Sequence, residues 1–437
     1  PAIPGFDQKS FEKYFKNTAW LMLGRILSMV VGFIIARYLG PSNFGDLSFA
    51  IAFTGLFAAV ATLGLDTFVV RELIHTPEKT PVILGTSFWL RIVVSIFLIP
   101  AAVKLYVFFR QLSPIQGNSL TALVGLCALA TAFKSFNVID SYFQSQVKSK
   151  YVVIVQNICL FISAAFKVLL IILEVPVVYF AMALVIDGFL LAVGLILIYQ
   201  KQEKQLLRNW KFSSAMAASL LKKSWPLIFT AVMISIYMQI DVVMLKSLGA
   251  EVVGIYSAAA RISEAWYFIP VAIITSVMPA IVQARKKDLV HYQKRLQNLY
   301  DLLVAISLPV ALIISFSASL IISILYGKDF EGAGLILSIH IWSGVFVFLG
   351  SASSQYLLAE AYTVISLKRT AIGALVNILL NLWLIPIYGG VGSAIATLIA
   401  YFVAAFSILL FKQTRQQGIM MLKSLFLISL IQKIPKK

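Results

Sequence analysis

The chain is poor in charge and poorest in acid. Only 12% of its 437 residues are Asp, Glu, Lys or Arg, about half the share of a soluble domain, and 18 Asp and Glu face 36 Lys and Arg. Together with 60% hydrophobic residues and a mean hydropathy of +0.92, this excludes a water-soluble fold. Cysteine occurs only at Cys127 and Cys159, each within an apolar run, which leaves no disulfide framework and no thiolate metal spacing. Paired carboxylates and a Gly-rich nucleotide loop are also missing, so the usual machinery of glycoside or nucleotide chemistry has no footing. No cofactor and no metal are expected. No loop is long enough for a soluble domain.

What is present is apolar sequence in lengths that cross a bilayer. At about 20 residues per crossing, twelve spans are predicted, at 17–38, 44–63, 81–103, 119–139, 151–172, 176–199, 224–245, 252–274, 298–317, 333–356, 364–385 and 390–411. The net charge of +18 would suit nucleic acid, but its distribution points to topology instead. With the N-terminus inside, and cations toward span ends assigned to the adjoining segment, 27 of the 36 basic residues fall on the cytoplasmic side and five on the outer side (Arg37, Lys104, Arg110, Lys246, Lys328), as the positive-inside rule requires. Both termini and the basic stretch 200–223 are therefore expected in the cytoplasm. A contact with membrane lipid headgroups suits these basic segments, whereas no aromatic-interleaved basic surface exists to hold nucleic acid.

A repeat divides the chain. Leu39-Gly40-Pro41-Ser42-Asn43-Phe44-Gly45-Asp46-Leu47-Ser48-Phe49-Ala50 aligns without gaps, at an offset of 209, on Leu248-Gly249-Ala250-Glu251-Val252-Val253-Gly254-Ile255-Tyr256-Ser257-Ala258-Ala259. Each copy joins an odd-numbered span to the next, so helices 1 and 2 correspond to helices 7 and 8. The expected architecture is all-α: a six-helix lobe over 1–199, a linker over 200–223, a six-helix lobe over 224–411 and a basic tail over 412–437 with a short amphipathic stretch. An even number of crossings per lobe gives a parallel pseudo-two-fold repeat, with a site between the halves near the midplane.

Four of the cations within spans are the candidates: Arg25, Arg91, Lys167 and Arg261. A charge at that depth costs kilocalories unless it faces water or a partner. On helix 3, Ser87, Arg91 and Ser95 recur every four residues and share a face, which predicts a wet surface around a guanidinium. Asn377 and Asn381 share a face of helix 11 in the same way. Lys167 has Asp187 within reach on the next helix, and Arg261 has Glu264 three residues on, so structural pairing competes with a ligand role at both. Arg25 and Arg91 have no acid in their own helices. Asp187 and Glu264 are taken as the only acids well inside spans, and hence as the candidates for coupling transport to H+ or Na+.

The segment Gln239-Ile240-Asp241 through Leu248-Gly249, then Val253-Gly254-Ile255-Tyr256-Ser257-Ala258-Ala259-Ala260-Arg261-Ile262-Ser263-Glu264, resembles the helix 7 to 8 junction of Wzx-type polysaccharide flippases of the multidrug/oligosaccharidyl-lipid/polysaccharide (MOP) superfamily. Gly64-Leu65-Asp66 with Val70-Arg71-Glu72-Leu73 resembles the same family after helix 2. The resemblance implies a V-shaped cavity between two lobes and movement of an undecaprenyl-diphosphate-linked oligosaccharide from the inner to the outer leaflet of the bacterial inner membrane. It implies a monomer working beside polysaccharide polymerase machinery, as in O-antigen and lipopolysaccharide assembly. Guanidinium binds phosphate bidentately, so Arg25, Arg91, Lys167 and Arg261 are the expected diphosphate ligands, and Ser87, Ser95, Asn377 and Asn381 the expected polar contacts to sugar. The alternatives are a multidrug exporter, which would want an anionic cavity, and a membrane glycan polymerase or ligase. The latter is disfavoured by the outer loop near 104–118, which has no acid or histidine.

The topology is directly testable. In intact spheroplasts, a cysteine placed at Ser113 should react with an impermeant thiol reagent and one placed at Ser214 should not. Strong labelling at 214 would reverse the orientation.

Overall fold

The computed structural model describes residues 8–112, 118–203, 207–285 and 288–432, with side chains throughout these ranges except at 8–23, 25, 67, 112, 118–119, 226–227, 279 and 430. Among the described residues there is no strand. The helices are α1 (Gln8–Thr62), α2 (Asp66–His75), α3 (Thr80–Leu112), α4 (Asn118–Ala132), α5 (Val138–Ser145), α6 (Lys150–Ile172), α7 (Val177–Glu203) and α8 (Ser214–Leu245). They continue with α9 (Ala250–Glu264), α10 (Phe268–Arg285), α11 (Leu289–Leu325), α12 (Ala333–His340), α13 (Ser343–Ala359), α14 (Thr363–Phe406), α15 (Arg415–Leu425) and α16 (Ile428–Ile431). Among the described residues, ten stretches are long and apolar enough to cross a membrane. Two of them, within α1 and α14, are broken by a glycine outside the helical region, Gly40 and Gly389. Predicted spans 1 and 2 thus lie within α1, and spans 11 and 12 within α14. Large apolar side chains such as Phe97 (71% exposed) and Phe316 (89% exposed) point outward, as a lipid-facing surface requires.

Contacts divide the chain into two compact units. The first holds residues up to Leu39 and Phe49–Val232; the second holds Gly40–Ser48 and residues from Met233 on. In the first unit, Leu65 just before α2 and Val69 and Leu73 of α2 pack with Ile83 and Leu84 of α3, Val138, Ile139 and Phe143 of α5, Tyr199 of α7 and Trp210. This packing fixes part of the expected linker to the first unit. Trp210 lies edge-on to Phe88 and Tyr199, Lys211 N donates to Pro81 O at 3.0 Å, and Ser213 N donates to Thr86 Oγ1 at 3.1 Å.

The second unit has its own core, in which Ile274, Met278, Tyr300, Leu303, Phe348, Leu349, Phe406 and Met421 join α10, α11, α13, α14 and α15. Asp301, buried within α11, accepts hydrogen bonds from Gln297 Nε2 (3.0 Å), Ser424 Oγ (2.6 Å) and Ser429 Oγ. The amphipathic part of the tail is thereby held against α11.

The repeat explains how residues 40–48 come to belong to the second unit. Gly40 (φ 70°) and its equivalent Gly249 (φ 114°) both take positive φ, which admits glycine without steric cost. Pro41 and Ala250 then begin the following helical segments, and Gly45 and Gly254 lie four residues further on. A Cβ at Gly45 would stand 1.8 Å from Ala250 O, and one at Gly254 would stand 1.9 Å from Pro41 O. The two copies of the repeat meet glycine to carbonyl, each in the place of the other. Lys246 closes the same seam with an ion pair to Asp46 at 2.5 Å. Phe44, wholly buried, packs with Tyr326 and Phe330.

No side chain fits that approach. Gly45→Ala and Gly254→Ala should each lower thermal stability by about the 1–3 kcal/mol that forced overpacking costs. Gly125→Ala, whose Cβ would meet only Val103 Cγ2 at 3.8 Å, should be near neutral. Unfolding in detergent measures the difference, and equal stability of all three variants would contradict the seam.

Candidate functional site

The described residues place every cation named from sequence except Arg25, which lies on α1 but whose side chain is outside them. Arg91 does have a partner. Its Nη2 lies 2.8 Å from Asp66 Oδ1, the first residue of α2, while Nε and Nη1 are buried without hydrogen bonds. The partner is 25 residues away, brought in by the turn between α1 and α2, so no search of α3 itself could find it. Ser87 and Ser95 do share the Arg91 face, but they are 0% and 1% exposed and their hydroxyls have no partner. The expected wet face is therefore a buried one in this conformation. Lys167 pairs with Asp187 at 2.5 Å and donates to Ser163 Oγ at 2.9 Å, which joins α6 to α7 and neutralises one of the two expected coupling acids.

In the second unit Arg261 does not close an ion pair with Glu264. Its guanidinium lies over the Phe44 ring, 4.6 Å from the centroid, a cation–π contact to the segment that the repeat brings across. Glu264 is half-buried. His340 is a packed histidine: its ring lies edge-on to Tyr256, and its carbonyl accepts from Ser343 Oγ at 2.6 Å.

Asn377 and Asn381 do not face open space either. Both are wholly buried, and they converge on an acid absent from the sequence-derived site, Asp241, which is 4% exposed. Asp241 accepts from Asn381 Nδ2 (2.7 Å), Tyr256 OH (3.0 Å) and Thr397 Oγ1 (2.5 Å). Asn381 also donates to Asn377 Oδ1, whose own amide donates to Tyr237 O at 3.3 Å. Asn381 Oδ1 and Ser393 Oγ are buried without partners nearby on α14. Among the described residues no cation pairs with Asp241, so the cluster is a buried carboxylate ringed by oxygen-bearing side chains. Such a set suits a hard cation or a proton.

Asp241 was legible in part. It lies inside predicted span 7, four residues from its end, and its partners on span 11 repeat at four-residue spacing. Proximity to the helix end disguised it, because what buries Asp241 is the polar face of α14, a tertiary contact 140 residues away. Arg369 was missed for a similar reason. At the start of α14 it reads as one of the cytoplasmic basic residues, yet it is only 8% exposed.

Comparison with known proteins decides the family. The profile of polysaccharide biosynthesis proteins matches residues 14–285, more than half of the chain, and the MatE profile matches residues 226–383. The chain belongs to the polysaccharide biosynthesis protein family. It is 29% identical over 155 residues to the probable flippase AglR of Haloferax volcanii, and 30% identical over 105 residues to an uncharacterised membrane protein of Methanocaldococcus jannaschii. Those matches cover 34% and 24% of this chain, and span only 32% and 20% of the relatives. Among solved structures, a multidrug resistance MATE transporter of the MOP superfamily in an inward-facing conformation has TM-score 0.74 at 14% identity, covering 94% of this chain and 96% of the other. The lipid II flippase MurJ in an inward closed conformation has TM-score 0.68 at 19% identity, covering 97% and 93%. This member of the polysaccharide biosynthesis family is thus an all-helical, multi-pass membrane protein that shares its fold with the MATE transporter and MurJ structures.

Proposed function

We propose that the protein moves an oligosaccharide linked through a diphosphate to a polyprenyl carrier, undecaprenyl in a bacterial cytoplasmic membrane, from the inner to the outer leaflet by alternating access. The observation that carries the reading is the split among its buried charges, in a chain of this family. Arg91, Lys167 and Lys246 are neutralised by Asp66, Asp187 and Asp46, whereas Asp241 is held by neutral oxygen and amide groups alone. Uncompensated charge in a membrane is retained where a ligand meets it.

Asp241 is then the coupling residue, taking Na+ or H+, in preference to Asp187, whose charge Lys167 already balances. Asn377 and Asn381 serve that cation rather than sugar. Arg261 and Arg25 are proposed for the diphosphate, with Arg91 and Lys167 joining only if their ion pairs open. The MatE match over the second half favours a multidrug exporter as a second reading. Against it stand the buried cations, which suit an anionic cargo.

The test is transport in proteoliposomes, with a fluorescent oligosaccharide on a polyprenyl diphosphate. Flipping should require an imposed Na+ or pH gradient and should fall about tenfold or more in Asp241→Asn, with the variant folded. Transport of cationic dyes without transport of the glycan lipid would overturn the assignment.

A further inference from the structure

Arg369 is the one buried cation described for which no carboxylate serves as partner. Its Nη2 donates to Gly350 O at 3.0 Å and to Ser354 Oγ at 2.6 Å. Nε and Nη1 are buried donors with no acceptor. A guanidinium so placed has lost most of its hydration without gaining a counter-charge. Removing an ion from water costs several kilocalories even after the surroundings relax. Two neutral oxygens do not offset that, and the two orphaned N–H groups add their own desolvation cost.

A Cβ built on Gly350, whose carbonyl receives Nη2, would meet nothing within 4 Å, so there is open space beside that residue's Cα. No acid competes for the guanidinium, in contrast to Arg91 and Lys246. Arg369 also shares a helix face with the Asp241 cluster. Arg369, Gly373, Asn377 and Asn381 follow each other at four-residue spacing on α14, facing Tyr237 and Asp241, one turn apart on α8. The contacts along that face are Gly373, whose Cβ would lie 3.2 Å from Tyr237 Cε2, then Asn377 to Tyr237 O, then Asn381 to Asp241. Tyr237 is itself stacked on Tyr401 with centroids 4.1 Å apart. One pair of helices therefore carries an uncompensated cation and an uncompensated anion, separated by about 18 Å of helix at 1.5 Å per residue.

We propose that Arg369 is an anion-binding residue of the second unit, receiving a phosphate oxygen of the lipid-linked substrate on the α8–α14 face whose other end holds the coupling cation at Asp241. The proposal rests on the diphosphate reading above and adds a residue to it. A diphosphate supplies the acceptors that Nε and Nη1 lack, and charge-assisted hydrogen bonds of this kind are about twice as strong as neutral ones.

Thermal unfolding of the purified full chain in detergent, with inorganic pyrophosphate titrated at constant ionic strength, tests the site. The wild-type chain should show a saturable rise in midpoint, as ligand binding to the folded state requires. Arg369→Gln should weaken the apparent affinity about tenfold or more, and Arg369→Lys should recover part of it, since the charge but not the planar fork is kept. The partial recovery in Arg369→Lys guards against misfolding, because a charge restored to a misfolded chain would recover nothing. A full pyrophosphate response in folded Arg369→Gln overturns the proposal. So does a wild-type chain that ignores pyrophosphate while still flipping the glycan lipid, a result that leaves the transport reading standing. An Arg369-dependent response in a chain that flips no diphosphate-linked glycan would uphold the anion site and sink the choice of cargo.

Discussion

Gly45 and Gly254 bring two stretches of backbone closer than a single methyl group would allow, and much of the second unit is arranged around that approach. The glycines are equivalent in the repeat, and each accepts the carbonyl of the residue equivalent to the other's helix start, Ala250 or Pro41. Because residues 40–48 are seated there, Asp46 meets Lys246, Phe44 fills the space between Tyr326 and Phe330, and Arg261 finds an aromatic face. A short repeat that looks like a pair of ordinary turns is thus a self-complementary contact. Its two halves have to be read together for their glycines to make sense.

Charge follows a different logic in each unit. In the first, Arg91 and Lys167 meet acids delivered by neighbouring elements, and Ser163 completes the Lys167 site. Such pairs are expensive to break, because removal of one partner leaves the other uncompensated. In the second unit Lys246 is paired, but Asp241 on α8 is met only by neutral groups of α9 and α14, and Arg369 on α14 only by neutral groups of α13. Asp301 shows that a buried acid can also be structural: hydroxyl and amide groups of α11 and the tail donate to it, whereas Asn381 Oδ1 beside Asp241 and two guanidinium nitrogens of Arg369 are left without partners.

The membrane class, the helix positions and the doubling of the chain were legible because each rests on local signals: apolar run length, basic residues between runs, and a gapless repeat. The Lys167–Asp187 pair was legible as well, since consecutive helices are neighbours in space. Arg91–Asp66 was not, because the acid lies at the start of a short helix outside the spans, where nothing local points to a partner on α3. Asp241 and Arg369 both lie near helix ends, where sequence assigns a charge to the membrane surface by default. Their burial comes from helices more than a hundred residues away for Asp241, and from the α13–α14 contact for Arg369. The polar faces of α3 and α14 were found correctly, but periodicity reports which residues share a face and not whether water reaches it.

The central claim is that buried charge without a counter-charge, rather than buried charge as such, performs the transport work. The most direct measurement compares two neutralisations in the reconstituted flipping assay, each corrected for the amount of folded protein. Arg91→Gln with Asp66→Asn removes a compensated pair, while Asp241→Asn removes an uncompensated acid. The account predicts that the paired neutralisation keeps most of the flipping and its ion dependence, and that Asp241→Asn loses both. Loss of flipping in the double variant, with ion-driven transport intact in Asp241→Asn, would contradict it.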